Sequence, residues 1–394
     1  MSRLWEKGLP LADRVLRYTA GEDHLLDARL VSYDVKGSIA HAEMLAEIGL
    51  ISAADCTAIR DGLNALDTEF AAGKWSIGLD DEDVHTALES RLTSNIGDAG
   101  ARLHLGRSRN DQVLTALRLY LRDATEDLSE RIALLRVAAR NLGERQGDIA
   151  LPGYTHMQHA MPSSVALWCA GFDEAFADAI EGLRSARRRI NKNPLGSAAG
   201  YGTPGLPLDR ELTTEKLGFD ETQSPVTSVQ LSRGKAESTL LFEVTLLLQD
   251  LGRMAGDLLL FYTQEFAYVS LAAEVTTGSS IMPQKRNPDV LELLRAASAT
   301  AHACLDESLM ITAKLQSGYQ RDLQRLKAPL FRALDLAVDS VDIMAYLLDG
   351  VRFLPENIEL DEGIFATEEA YRLVTDEGIP FRDAYRRVAQ RYSK

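Results

Sequence analysis

Val113-Leu-Thr-Ala-Leu-Arg-Leu-Tyr-Leu-Arg-Asp-Ala-Thr-Glu-Asp-Leu-Ser-Glu-Arg-Ile-Ala-Leu-Leu-Arg-Val-Ala-Ala-Arg-Asn-Leu-Gly-Glu-Arg-Gln146 decides the fold. Leu117, Leu119, Leu121, Leu128, Ile132, Leu135 and Val137 recur among charged residues with a helical period, and no proline interrupts them. Such a helix is longer than the roughly 8–20 residues usual in globular proteins. Working outward, similar stretches run over Pro162–Ile190, Val229–Ala267, Pro288–Ala313 and Leu326–Leu348, separated by short segments bearing proline and glycine. Long helices with broad apolar faces predict an all-α fold built on an extended bundle. Leu240-Leu-Phe-Glu-Val-Thr-Leu-Leu-Leu248 and Leu258-Leu-Leu-Phe-Tyr262 are wider apolar faces than one bundle needs, which predicts contact with further subunits. Three regions follow: a smaller helical one over 1–105, the long-helix bundle over 106–350, and a short helical one over 351–394.

At 394 residues the chain exceeds what one compact core accommodates. Its net charge of −15 offers no electrostatic footprint for nucleic acid or an anionic membrane, though local clusters of Arg and Lys can still form a pocket for a small anion. Cys56, Cys169 and Cys304 lie far apart and show neither a CxxC nor a Cys/His metal spacing, so no disulfide framework and no metal site are expected. A reducing cytoplasm fits that pattern. The start, Met1-Ser-Arg-Leu-Trp-Glu-Lys-Gly8, lacks an apolar signal core, and no apolar run approaches the ~18 residues of a membrane span.

Chemistry concentrates in a few short segments. Gly278-Ser-Ser-Ile-Met-Pro-Gln-Lys-Arg-Asn-Pro-Asp289 puts Ser279, Ser280 and Lys285 into one loop ahead of Val290–Arg295, with Asn287 as the expected N-cap and Pro288 as the first helical residue. A serine serves as a base only where positive charge favours its alkoxide, and a lysine beside a helix N-terminus supplies that field. Gly106-Arg-Ser-Arg-Asn-Asp-Gln112 offers Arg107, Ser108, Arg109 and Asn110 before the longest helix, a set that matches carboxylates through guanidinium forks and free backbone N–H groups. Leu151-Pro-Gly-Tyr-Thr-His-Met-Gln158 places Thr155 and His156 on a connection at a bundle end, where His156 can supply a proton near neutral pH if a carboxylate such as Glu292 orients it. Asp80-Asp-Glu-Asp-Val-His-Thr86 reads equally as an acidic helix start or as a contact set, with Asp83 for a cationic group and His85 for an anionic one. Tyr319, Gln324 and Lys327 follow Gly318 at helical spacing, where a solvated face is the default.

The Gly278–Asp289 loop closely resembles the GSSxMPxKxNP motif of the fumarase/aspartase superfamily. Together with GRSRNDQ, PGYTHMQ and the Tyr319, Gln324 and Lys327 set, in that order over nearly the whole chain, it is similar to the argininosuccinate lyase family. The resemblance implies a three-domain helical homotetramer around a twenty-helix core, with each active site shared between subunits. It also implies reversible elimination of argininosuccinate to arginine and fumarate, as in arginine biosynthesis, without metal or organic cofactor. In that scheme Ser279 is the base, Lys285 and Asn287 stabilise the developing charge, and His156, oriented by Glu292, is the acid. Ser108, Arg109, Asn110 and Thr155 hold the succinyl carboxylates, with Arg107 and Ser280 in the same set; Tyr319, Gln324 and Lys327 contact the remainder of the substrate.

Several positions depart from the family pattern. The usual Leu-Trp-Gly-Gly-Arg-Phe opening is Leu4-Trp-Glu-Lys-Gly8 here, a substrate-binding serine falls near Gly21, and the Ser-Asp/Glu-Arg-Asp element is Ser232-Arg-Gly-Lys-Ala236, which reverses the local charge. The chain also stops at Lys394, short of the family's usual C-terminus. Two other functions fit these features: a fumarate-releasing lyase acting on a different N-substituted aspartate, and a catalytically silent relative of the crystallin type.

Overall fold

Leu114, Leu117, Leu121, Leu128, Ile132, Leu135, Ala139 and Leu142 are all buried, three, four or seven residues apart. Thr125 occupies the gap in that seam and satisfies its hydroxyl by donating to the Leu121 carbonyl at 2.6 Å. A seam of this spacing needs a long straight helix, and the computed structural model, which describes residues 12–392, has one over Arg109–Gln146. Four further long helices cover Val165–Ile190, Lys235–Phe261, Asp289–Thr312 and Lys327–Gly350. The all-α expectation holds, since the strands of the described residues form only four two-stranded pairs. Val137, counted above among the periodic apolar residues, is exposed on the opposite face together with Leu134. None of the described helices is long and apolar enough to cross a membrane. The Leu4–Gly8 departure and the final Lys394 lie outside the described residues.

The chain divides into two compact units. The first comprises Met1–Leu128, Gly182–Val244 and Ala301–Asp335. Its N-terminal part holds helices Val31–Glu47, Ala53–Ala71 and Val84–Ile96, and the second of these starts at a capping box between Ser52 and Asp55. Ala40, Leu119, Leu195, Leu217 and Phe219 form an apolar cluster in this unit. Beside it the buried Arg118 guanidinium donates to the Lys192 carbonyl at 2.6 Å, to Gln223 Oε1 at 2.6 Å and to Ser232 Oγ at 2.7 Å.

The second unit comprises Ser129–Glu181, Thr245–Thr300 and Leu336–Lys394. Trp168 packs edge-on against Phe172 and Phe353, and its Nε1 donates to Asp257 at 2.9 Å. The C-terminal helices Ala366–Glu377 and Phe381–Ala389 close over Ala370, Ala384 and Val388.

Three boundaries differ from the sequence reading, each for a local reason. Pro162 does not open a helix; it lies in an antiparallel hairpin, Ala150–Thr155 with Gln158–Ser164, opposite Pro152. A side chain at Gly153 would meet the Met161 carbonyl at 2.8 Å, so glycine is required where the strands bulge. The helix expected from Val229 is interrupted: Thr227–Ser232 ends at an extended Arg233, Gly234 turns at φ 82°, and the long helix begins at Lys235. Asn287 is not the N-cap of the helix after the serine loop; Asn287 pairs with Thr277, and the Pro288 carbonyl accepts from the amides of Leu291 and Glu292 at 3.0 and 3.3 Å.

Phe176 is fully buried in the second unit. Phe176→Ala is expected to destabilise the fold by about 3–5 kcal/mol, the range for deleting a core aromatic. A urea titration reads this as a lowered midpoint at unchanged slope, and an unmoved midpoint would contradict the packing described.

Candidate active site

Within the first unit, a cavity of about 420 Å³ is lined by Asp23, Asp83, His85, His104, Arg107, Ser108, Arg109, Asn110, Val113, Arg233, Tyr319, Arg321, Gln324 and Lys327. Five sequence segments, from Asp23 to Lys327, therefore share one wall system, with far more basic than acidic side chains. Arg107 and Ser108 precede the Arg109–Gln146 helix, where Asp111 fixes the turn by accepting from the Ser108 amide at 3.0 Å and from the Gly196 and Ala198 amides at 2.9 and 2.8 Å. Burial pushes the Asp111 carboxyl up to about 6 despite those donors and the nearby Arg107.

His85 stands on the helix that Asp83 caps, Asp83 Oδ1 accepting from the Thr86 amide at 2.9 Å. The His85 Nδ1 meets the fully buried Asp34 carboxylate, while its Nε2 is buried and without a hydrogen-bond partner. Burial alone would depress the imidazole, but Asp34, with Asp83 and Asp27 behind it, raises it above its ordinary value. Burial likewise opposes ionisation of Asp34, yet His85 and Arg107 hold its carboxyl below the usual range. Gln112 Nε2 donates to Asp34 Oδ1 at 2.9 Å, Ser38 Oγ donates to the same oxygen at 3.0 Å, and Arg107 Nη1 donates to Ser38 Oγ at 2.7 Å.

The other cations are mostly answered from inside the chain. Arg109 pairs with Asp83 and stands 3.4 Å from Glu82. Lys327 is buried, with its Nζ 2.5 Å from Asp27 and 2.9 Å from Asp23. Burial would lower its ammonium, and the two carboxylates more than reverse that. Asp23 is pushed up to about 6 by burial, Lys327 opposing and Asp27 adding to the shift. Gln324 donates to the Thr19 carbonyl at 2.8 Å and accepts from Arg321 at 3.0 Å. Gly21, the departure near this end, lies at φ 53°, and a side chain there would approach Gln324 Nε2 to 4.0 Å.

Thr155, His156, Ser279, Ser280, Lys285, Asn287 and Glu292 belong to the second unit. His156 and Met157 form the tip of the hairpin at φ 54° and 59°, a conformation rare for residues with side chains, and His156 is exposed. Glu292 is exposed on the Asp289–Thr312 helix, and among the described residues no hydrogen bond joins it to His156 within one chain. The serine loop is pinched at its base by Thr277 against Asn287 and Gly278 against Arg286, so Ser279, Ser280 and Lys285 share the excursion between them. Ser279 Oγ accepts from the Met282 amide at 3.1 Å and the Ile281 amide at 3.4 Å.

Asp23, His104, Arg233 and Arg321 line the cavity and Asp34 braces His85 beside it, and the sequence reading assigned none of them. Asp34 carries no local signal, because its partner His85 is 51 residues away. Arg233 had one, since it stands in the charge-reversed Ser232–Ala236 segment.

The profile of the family described as Lyase matches residues 13–302, which places the chain in that class of enzyme. The argininosuccinate lyase of Sorangium cellulosum is 45% identical over 98% of this chain and 90% of that one. The argininosuccinate lyase of Thermotoga neapolitana is 39% identical over 100% of this chain and 98% of that one. An EDDS lyase in complex with formate superposes with a TM-score of 0.82 at 27% identity, covering 95% of this chain and 74% of that one. A class II fumarase from Schistosoma mansoni shares the fold, with a TM-score of 0.80 at 19% identity over 98% of this chain and 91% of that one. The chain belongs to the argininosuccinate lyase family.

The Asp34–His85 pair gives a pH test. Asp34 is held below its ordinary 3.8, so its share of stability is present above that value and is lost as pH falls through the folded pKa. His85 is raised above 6.5, so its share is fully present below 6.5 and is lost as pH rises through the folded pKa. Asp34→Asn is therefore expected to lower the melting temperature most between about pH 4 and 6.5, with a gap to wild type that narrows at alkaline pH. A gap that keeps widening to pH 10 would contradict the charged pair.

Proposed function

We propose that the protein is an argininosuccinate lyase, a carbon–nitrogen lyase that eliminates arginine from argininosuccinate and leaves fumarate. The observation that carries this reading is the cavity that gathers Arg107, Ser108, Arg109 and Asn110 with His85, Tyr319 and Lys327, because a substrate with several carboxylates requires such a concentration of fixed donors. The alternative lyase on another N-substituted aspartate is less well supported, since EDDS lyase matches at 27% identity against 45% for an argininosuccinate lyase. A silent structural relative would have no need of the Ser279, Lys285 and His156 groups together.

The step that needs most help is removal of a proton from carbon beside a carboxylate. In the proposed mechanism the Ser279 alkoxide takes that proton. The Ile281 and Met282 amides that point at its Oγ, together with the Lys285 charge, lower the cost of forming it. Lys285 and Asn287 then meet the negative charge that builds on the substrate carboxylate. His156, oriented by Glu292, gives a proton to the departing guanidino nitrogen. Ser108, Arg109, Asn110, Thr155 and Ser280 hold the succinyl part, while Asp83, Tyr319, Gln324 and Lys327 line the end that takes the arginyl part. Because Asp83 and Lys327 are already paired, they act chiefly by fixing Arg109 and the cavity wall.

His156 and Glu292 are not joined within one chain, which favours a site assembled in a homotetramer with loops donated by neighbouring subunits. The exposed Phe242, Leu246, Leu293, Leu309 and Met310 supply apolar surface for such contacts. A cytoplasmic setting goes with this reading.

Incubation with argininosuccinate, followed by fumarate absorbance and identification of the amine, tests the activity. Turnover of a different substrate with none of argininosuccinate would sink the specific reading. Ser279→Ala is expected to reduce kcat by several orders of magnitude with little change in substrate binding, as for a group that acts in the transition state. Mixing Ser279→Ala chains with His156→Asn chains should restore part of the activity, and no recovery after verified subunit exchange would count against a shared site.

A further inference from the structure

Arg233 is a cavity arginine that forms no ion pair among the described residues. It is 5% exposed and lines the 420 Å³ cavity. Its Nε is buried without a hydrogen-bond partner, and its Nη2 reaches only the Leu323 carbonyl, at 3.5 Å, beyond the usual range for a sound bond. The guanidinium carbon stands 6.0 Å from the Tyr319 ring centroid, the outer limit of a useful cation–π contact. Among the described residues it forms no ion pair, whereas Arg109 and Lys327 in the same cavity each have two carboxylates.

The carboxylate closest to it in sequence, Glu237, is already engaged. Glu237 accepts from the Gly234 amide at 2.7 Å, and its charge acts on the buried Arg118. Arg118 in turn is pushed down to about 10, first by burial, with Glu237 opposing and the Arg233 charge adding. The direction of Arg233 is fixed by its backbone. Gly234 turns at φ 82°, and any side chain there would meet Thr312 Cγ2 at 2.3 Å, so the bend that presents Arg233 tolerates no other residue. Burying a guanidinium without a partner opposes folding, and such a group in a cavity is matched by an anion brought from outside.

We infer that Arg233 binds the α-carboxylate of the arginyl part of argininosuccinate and so sets specificity for the amino-acid end. The inference rests on the lyase reading above. The two succinyl carboxylates have donors that include the Ser108–Asn110 segment; at the arginyl end the Lys327 charge is already answered by Asp23 and Asp27, which leaves the third carboxylate without a free cation apart from Arg233. Arg233 contacts Tyr319 and Leu323, which belong to the segment proposed to meet the arginyl part. A planar fork with unsatisfied N–H groups suits a carboxylate there.

The test compares wild type with Arg233→Gln and Arg233→Lys, using argininosuccinate as substrate and arginine or agmatine as competing ligand. Agmatine is arginine without the carboxylate. Arg233→Gln is expected to raise KM and to weaken inhibition by arginine roughly tenfold to a hundredfold, the range for losing a charge-assisted hydrogen bond, with kcat changed far less. Agmatine should inhibit both proteins equally, so the preference for arginine over agmatine should vanish in the Gln variant and survive in part in the Lys variant. Loss of an unpaired buried charge should leave the ligand-free melting temperature unchanged or higher. An unchanged arginine-to-agmatine ratio in both variants, or equal weakening of both ligands, would overturn the assignment of Arg233 while leaving the lyase reading intact. Absence of argininosuccinate turnover by wild type would remove that reading and this inference together.

Discussion

A carboxylate withdrawn from water has to be met by donors on every side, and at Asp34 those donors come from three separate parts of the first unit. Ser38 lies one turn away on the same helix, His85 on the Val84–Ile96 helix, and Gln112 in the first turn of Arg109–Gln146. Ser38 then accepts from Arg107, so the loop that carries the carboxylate-binding motif is tied to the same oxygen pair. The orientation of the His85 imidazole, with Nδ1 engaged and Nε2 left open, follows from this arrangement.

The same logic repeats across the cavity. Asp27 receives the Lys327 ammonium on one oxygen and the Val84 amide on the other, joining two helix starts through one carboxylate. Asp111 holds three backbone amides and connects the Arg107–Asn110 loop to Gly196 and Ala198. Groups that look like substrate contacts in the sequence are thus engaged in the protein before any ligand arrives. Such fixed donors stabilise charge in a site without having to reorganise when it appears. Arg109 retains free N–H groups after pairing with Asp83, because a guanidinium has five donors, so a structural role and a carboxylate-binding role are compatible.

The long helices were legible because their seams repeat every three or four residues, a pattern that survives in any context. Connections were not. The Ala150–Ser164 hairpin has Pro152 and Pro162 facing each other; Pro152 read as a connection and Pro162 as a helix start, because neither proline signals a strand until its partner is known. The break at Arg233–Gly234 is set by the nearness of Thr312, a contact between residues far apart in sequence. The site residues expected from sequence came in contiguous motifs such as Gly106–Gln112 and Gly278–Asp289. Asp23 and Asp34 were invisible, because a lone aspartate on an amphipathic helix announces nothing until the fold brings a lysine or histidine to it.

Under the lyase reading, binding and proton transfer make different demands on the chain. Holding several carboxylates in fixed places requires buried, mutually braced donors, and the Asp34, Asp111 and Asp27 clusters supply them from helix ends. Moving a proton requires a base and an acid that reach the substrate only after it has entered. Ser279 and His156, the base and acid of the proposed mechanism, sit on short connections, one pinched at its base by two residue pairs and the other at a hairpin tip with two left-handed residues. Backbone strain at that tip is tolerable because the strands behind it stay paired, past the bulge at Gly153, up to Thr155 and Gln158.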